Sequence, residues 1–296
     1  MVLEKTGGID PRSWIECKPY DYHNFKFIKQ DCREYFKNNK EYFDEVYHLA
    51  AMVGGRLMIE YNPLAVAEDL AIDSMMFAWA NKTKPGKIIN FSSSAAYPIF
   101  LQTEKKFRLL KENDIAFDQE NIGIPDLTYG WAKLTAEFTG KIAYQRHGIK
   151  SVVYRPFSGY GSSQDLSYPF PSIIKRLIEL KKTSSKFYVW GSGRQMRDFV
   201  HISDCVRCVL STKDKVINGS AINISTGKLT NFLTLAKIGL KMLDIKGVTV
   251  LGKSDKPEGV FARGGDTSLQ NELGFKSTVT IEQGISESLN NLSNNF

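Results

Sequence analysis

Apolar positions along this chain fall into short strand-like runs separated by longer stretches with helical spacing. "FDEVYHLAA", at 43–51, reads as a short buried strand running into a loop of small residues. A helical pattern follows from about Ile59 to Asn81, and "KIINFSSS", at 87–94, is an apolar strand ending in hydroxyls. A polar loop leads to a second long helical pattern over 128–147 and then to the β-branched strand "KSVVYRPF", at 150–157. Apolar strands alternating with helices predict an α/β fold, a parallel sheet with helices on both faces. In such sheets the chemistry gathers at the carboxyl ends of the strands.

Beyond Ser158 the pieces shorten: a helix near 171–182, strands "KFYVW" and "RDFVH", a helix from about Ser203, a strand "AINIS" and a helix near 230–243. A strand "VTVL" and two short helical stretches complete the chain. The expected division is a sheet domain over 1–157, joined by about 196–226, and a smaller α/β lobe from about 158–195 and 227–296.

Tyr129 and Lys133 of "TYGWAKLTAEF" stand four apart, on one face of the second long helix. A free tyrosine ionises near pH ~10 and is a poor base at neutrality; lowering that value by about three units needs roughly 4 kcal/mol. A nearby ammonium, helped by a positively charged cofactor ring, is the right kind of source. Taken alone, the spacing equally describes a half-buried tyrosine beside a solvated lysine. The hydroxyls of "NFSSSAAYP" bear on that choice, because a serine beside a proton-exchanging tyrosine can hold the substrate oxygen. Strand-end turn chemistry is the other reading of those serines.

Composition narrows the classes. No apolar run approaches the roughly 20 residues of a membrane span, and "MVLEKTGGID" lacks the apolar core of a signal peptide, so a cytoplasmic protein is expected. Four cysteines, Cys17, Cys32, Cys205 and Cys208, are too few for a disulfide scaffold. The pair in "DCVRCVL" has no second Cys or His pair at zinc spacing, and no metal is expected. The net charge of +7 is dispersed rather than gathered into a basic stripe, which argues against nucleic acid and suits small anionic substrates.

With these motifs in order, the sequence resembles the extended short-chain dehydrogenase/reductases that act on nucleotide sugars, the NAD-dependent epimerase/dehydratase family. Within that family it is most similar to the branch of GDP-fucose synthase and GDP-mannose 3,5-epimerase. "VYHLAAMVGG", "SSSAAYP", "YGWAK", "YVWGSGRQMRDFVHISD" and "KPEGVFARGGDTS" carry the resemblance over nearly the whole chain, and the "WGSG…MRDF" stretch is the most specific. The resemblance implies a Rossmann-type sheet and redox chemistry at the sugar C4 with NAD or NADP. It makes Tyr129 the proton-transfer residue, Lys133 its partner and a ribose ligand, and Ser93 the catalytic hydroxyl. Asp31, after "NFKFIKQ", matches the carboxylate facing the adenine, and Ala50 and Ala51 match the small loop beside the cofactor pyrophosphate. Arg176, Trp190, Arg197 and Lys256 match positions lining the nucleotide end of the substrate, a GDP-sugar by preference. Their chemistry suits a diphosphate and a base or sugar face. A homodimer is implied as well, with the helix near 59–81, which carries the apolar "MMFAWA", and the Tyr129 helix packed against their copies.

The sequence also departs from the family. The glycine-rich strand, turn and helix that hold a dinucleotide pyrophosphate are not found: Gly7 and Gly8 have no preceding strand and no third glycine at the required spacing. The sheet is therefore expected to be N-terminally truncated and to bind its cofactor weakly or not at all, which leaves a catalytically silent nucleotide-sugar binding protein as the alternative. Ala95 stands where the epimerases carry a proton-transferring cysteine, Ser158 replaces an asparagine, and Tyr168 is the nearest titratable group to the expected second acid/base position.

Overall fold

A computed structural model describes residues 2–4, 18, 21–52, 54–181, 183–253, 255 and 258–293. Lys256, Cys17, Gly7 and Gly8 lie outside the described residues. The first half contains β1 (Val2–Glu4), β2 (Phe27–Lys29), α1 (Cys32–Asn38), β3 (Glu45–His48), α2 (Arg56–Tyr61), α3 (Pro63–Val66), α4 (Asp69–Thr83) and β4 (Lys87–Phe91). A hairpin of β5 (Gln102–Thr103) and β6 (Lys106–Phe107) precedes α5 (Leu127–His147), β7 (Ser151–Pro156) and β8 (Ser158–Tyr160). Then come α6 (Pro169–Ile178), β9 (Lys186–Trp190), β10 (Met196–Arg197), β11 (Phe199–His201), α7 (Ile202–Thr212) and β12 (Asn218–Ile224). The chain continues through β13 (Thr230–Asn231), α8 (Phe232–Met242), β14 (Thr249–Lys253), β15 (Ala262–Arg263), α9 (Ser268–Glu272) and α10 (Ile281–Ser293).

The main sheet is parallel, in the order β12-β7-β4-β3, so successive strands add along one direction through helical crossovers. Side chains on a strand alternate between faces. On β4, Ile88 packs with Met76, Phe77, Trp79 and Ala143 of α4 and α5, whereas Ile89 packs with Cys208 and Val209 of α7. Helices thus cover both faces. A separate core of Phe170, Ile174, Leu177, Phe187, Phe232 and Leu235 lies under the parallel pair β14-β9.

Three expectations change. The helical pattern from Ile59 to Asn81 is three helices, and the first break falls where Pro63, which has no amide hydrogen, holds Asn62 out of the helical region, at φ −133 and ψ 53. The early glycines do have a strand before them: Val2–Glu4 pairs in parallel with Phe27–Lys29. The helix expected near 171–182 begins at Pro169, where proline suits a first turn, and ends at Ile178.

An ion pair joins the sheet to α5. Arg155 of β7 meets Glu137 of α5 through Nε at 3.0 Å and Nη2 at 2.5 Å, and both side chains are 2 % exposed. Arg155 also donates to Tyr97 Oη at 2.9 Å and to the Glu112 carbonyl at 3.0 Å, while Ser92 Oγ donates to Glu137. Removing one partner leaves a buried charge uncompensated, so Glu137→Ala is expected to lose about 3–5 kcal/mol in urea denaturation.

Candidate active site

Tyr129 and Lys133 lie in the first two turns of α5. The start of that helix is held against the serine loop that follows β4. The Asp126 amide donates to the Ala95 carbonyl at 3.0 Å. Gly130 packs so closely that a Cβ there would run into the Ala95 carbonyl and Pro125. Leu127 takes a left-handed φ of 51, a strained conformation held by Asp126 on one side and by Thr128, whose Oγ1 donates to the Pro63 carbonyl at 2.8 Å, on the other. Ser93 sits in the same loop and caps its short 3-10 turn, with Oγ accepting from the Ala95 amide at 3.1 Å. The Tyr129 turn, Lys133 and the Ser93 loop therefore form one packed unit.

Lys133 is only 5 % exposed, and its Nζ lies 5.7 Å from the Tyr129 ring centroid. Burial opposes its charge, yet Tyr129, Asp73 and Asp69 together hold the ammonium above its ordinary pKa. Its ion-pair partner is Asp69 Oδ2, at 3.5 Å. Asp69 in turn accepts the amide of Met52, which follows Ala50 and Ala51 in the loop after β3. One helical turn on, Asp73 bonds His48 Nε2 at 2.8 Å. The four groups His48, Asp69, Asp73 and Lys133 were not singled out together from the sequence; the signal was two aspartates at i and i+4 inside the apolar "DLAIDSMMF".

The other predicted residues are more dispersed. Asp31 caps α1, accepting from the Arg33 amide at 2.9 Å and pairing with the Arg33 guanidinium at 2.7 Å. Arg176 donates to the Tyr188 carbonyl at 2.7 Å and lies over the Phe187 ring, while Trp190, two residues beyond Tyr188, is 39 % exposed. Arg197 joins a basic group: Asp126 pairs with both Arg56 and Arg263 at 2.9 Å. The Arg197 guanidinium donates to the carbonyls of Met196 and Glu258 rather than to a carboxylate. Burial, with Arg263 and Arg56 adding repulsion, pushes it down to about 9. Arg56 and Arg263 were not anticipated, although Arg263 sits within the quoted "ARGGD". Tyr168 caps the start of α6, and burial, then Tyr129, raises its phenol pKa. Two adjoining grooves of about 500 Å³ share Ile99, Gly259 and Val260; one reaches Arg56, Asp126 and Trp131, and neither is lined by Tyr129, Lys133 or Ser93. Cys208 is buried and its thiol is pushed up to about 12, so the CxxC pair is poorly suited to thiolate chemistry.

Comparison with known proteins places this arrangement. The sequence profile of the NAD dependent epimerase/dehydratase family matches residues 16–225. The chain belongs to that family. Among its relatives, GDP-L-colitose synthase of Yersinia pseudotuberculosis is 25% identical over 88% of this chain and 83% of its own length. GDP-mannose 3,5-epimerase 1 of Oryza sativa subsp. indica is 28% identical over 82% of this chain and 62% of its own. In fold, the crystal structure of UDP-glucose 4-epimerase from Thermotoga maritima with UDP-glucose superposes with a TM-score of 0.81, at 20% identity, over 99% of this chain and 90% of that one. An NAD dependent epimerase/dehydratase fold is thus present on both sequence and structural grounds, and no helix among the described residues is long and apolar enough to cross a membrane.

Because a Cβ at Gly130 meets backbone, Gly130→Ala is expected to push α5 off the serine loop at a cost of about 1–3 kcal/mol. A Cβ at Gly159 meets nothing within 4 Å, so Gly159→Ala serves as the control in the same thermal denaturation series.

Proposed function

We propose that this protein is an NAD(P)-dependent nucleotide-sugar epimerase or reductase acting at the sugar C4, with Tyr129, Lys133 and Ser93 as its catalytic residues. The observation that carries the reading is the contact of the Tyr129 turn with the Ser93 loop, Gly130 against Ala95, with the buried Lys133 ammonium behind the phenol. A nicotinamide cofactor, held by Lys133 at its ribose and beside Ala50 and Ala51 at its pyrophosphate, would supply or accept the hydride at C4. The chain's own part is the matching proton: Tyr129 gives it to the C4 oxygen in reduction and takes it in oxidation, while Ser93 Oγ donates a hydrogen bond to that oxygen. Lys133 stabilises the phenolate that remains after the proton leaves.

The donor set fits the cofactor. An ammonium has three N–H groups, and the 3.5 Å ion pair with Asp69 takes up at most one of them, which leaves at least two for ribose hydroxyls. Ala50 and Ala51 add little bulk beside a pyrophosphate. Arg197, which has no carboxylate pairing of its own among the described contacts, and the exposed indole of Trp190 suit the diphosphate and base of the substrate, and Arg176 and Lys256 complete the expected set. A GDP-sugar is favoured because the relatives include GDP-L-colitose synthase and GDP-mannose 3,5-epimerase 1. The division of labour proposed is a cofactor domain of 1–157 with about 196–226, and a substrate lobe of about 158–195 and 227–296.

A homodimer belongs to the same proposal. Leu127, Trp131 and Phe138 line one stripe of α5 and are all more than 40 % exposed, beside α4, which exposes Leu70.

Tyr129→Phe is expected to abolish turnover of GDP-sugars while leaving their binding, read by calorimetry, nearly unchanged. Arg197→Ala should weaken that binding by about tenfold or more, the loss typical of a charge-assisted contact. Binding without turnover in the parent protein would point to the silent-binding alternative, and unchanged binding by Arg197→Ala would remove this pocket from the proposal. Light scattering tests the dimer: Trp131→Glu should convert a dimer of the parent to monomer.

A further inference from the structure

We propose that Asp69 is a positioning residue for Tyr129 and Lys133, holding the ammonium and setting, through its own charge, how strongly Lys133 favours the Tyr129 phenolate. Three observations converge on Asp69. It is 1 % exposed, its Oδ1 accepts the Met52 amide of the loop that contains Ala50 and Ala51, and its Oδ2 lies 3.5 Å from Lys133 Nζ. Asp69 Oδ2 and Asp73 Oδ2 are both buried without a hydrogen-bond partner among the described residues. A buried carboxylate oxygen without a hydrogen bond is costly, and Asp69 Oδ2 is offset by its ion pair with an ammonium that also faces a phenol.

The groups around Asp69 define its effect. Asp73 lies one turn along α4, Lys133 faces it from α5 with the Tyr129 ring on the far side of the ammonium, and His48 of β3 approaches through its bond to Asp73. Burial raises the Asp69 carboxyl above the ordinary carboxylate range, Asp73 adds to that, and Lys133 opposes it. Above that raised value Asp69 is ionised and offsets part of the Lys133 charge. Below it Asp69 is neutral, and the full ammonium charge acts on Tyr129. Asp69 thus works against the charge of Lys133.

This inference rests on the reading of Tyr129 as the proton-transfer residue, but its test needs no turnover. The near-ultraviolet tyrosinate titration of the parent minus that of Tyr129→Phe isolates the Tyr129 phenol. In Asp69→Asn, read against the double variant with Tyr129→Phe, the ionisation constant of that phenol should rise by about tenfold, one unit of pKa. An unchanged constant in a folded Asp69→Asn protein overturns the proposal and leaves the proposed function standing. Should Asp69→Asn not fold, the parent labelled with carbon-13 in Asp and Tyr decides. The Tyr129 ring resonance, assigned by its loss in Tyr129→Phe, should move with the midpoint of the Asp69 carboxyl resonance. A Tyr129 resonance that stays still while Asp69 titrates overturns the proposal.

Discussion

The buried pair of Arg155 and Glu137 holds the rest of the site in register. It fixes α5 along its axis, because a bidentate guanidinium and carboxylate match in only one relative position. The same guanidinium reaches Tyr97, and the same carboxylate takes the Ser92 hydroxyl, so the loop carrying Ser93 is tied to the helix carrying Tyr129 and Lys133. Desolvating two charges is expensive, and such a pair contributes little net stability compared with apolar packing. What it supplies is position: Lys133 lies one turn from Glu137 on the same helix, and a shift of that helix would move phenol and ammonium together relative to the serine.

The two ends of the site have opposite electrostatic character. Around Lys133 the chain gathers two buried carboxylates and a single ammonium, whereas around Asp126 it gathers Arg56, Arg263 and Arg197, with Glu60 on the far side of Arg56. In the proposed function, an anionic diphosphate matches the second environment and a sugar hydroxyl the first, so charge alone gives the proposed substrate an orientation.

Much of this was legible in the amino-acid sequence. The strands at 43–51, 87–94 and 150–157 and the helix over 128–147 are each set by their own apolar spacing, and Gly148, at φ 67, ends that helix where glycine is needed. Tyr129 and Lys133 were legible because both lie on one helix, where spacing fixes direction. The partners of Lys133 were not, because their meeting depends on how α4 packs on α5, which no local pattern specifies. The same limit hid the pairing of Asp126 with Arg56 and Arg263, residues 70 and 137 positions away along the chain. Pro63 was visible, yet its helix break was overlooked because the apolar period ran on through it.

That break gives the segment between Gly55 and Val66 a thermodynamic character of its own. Helices of six and four residues close too few internal hydrogen bonds to persist alone, since nucleation outweighs propagation at such lengths. Their order is borrowed from outside, through Arg56 on Asp126 and the Pro63 carbonyl on Thr128, both at the first turn of α5. The segment is thus a small cooperative unit that opens at lower free energy than α4 behind it. Opening of this segment also takes the Pro63 carbonyl away from Thr128, and so removes one of the two holds on the strained Leu127 turn before Tyr129.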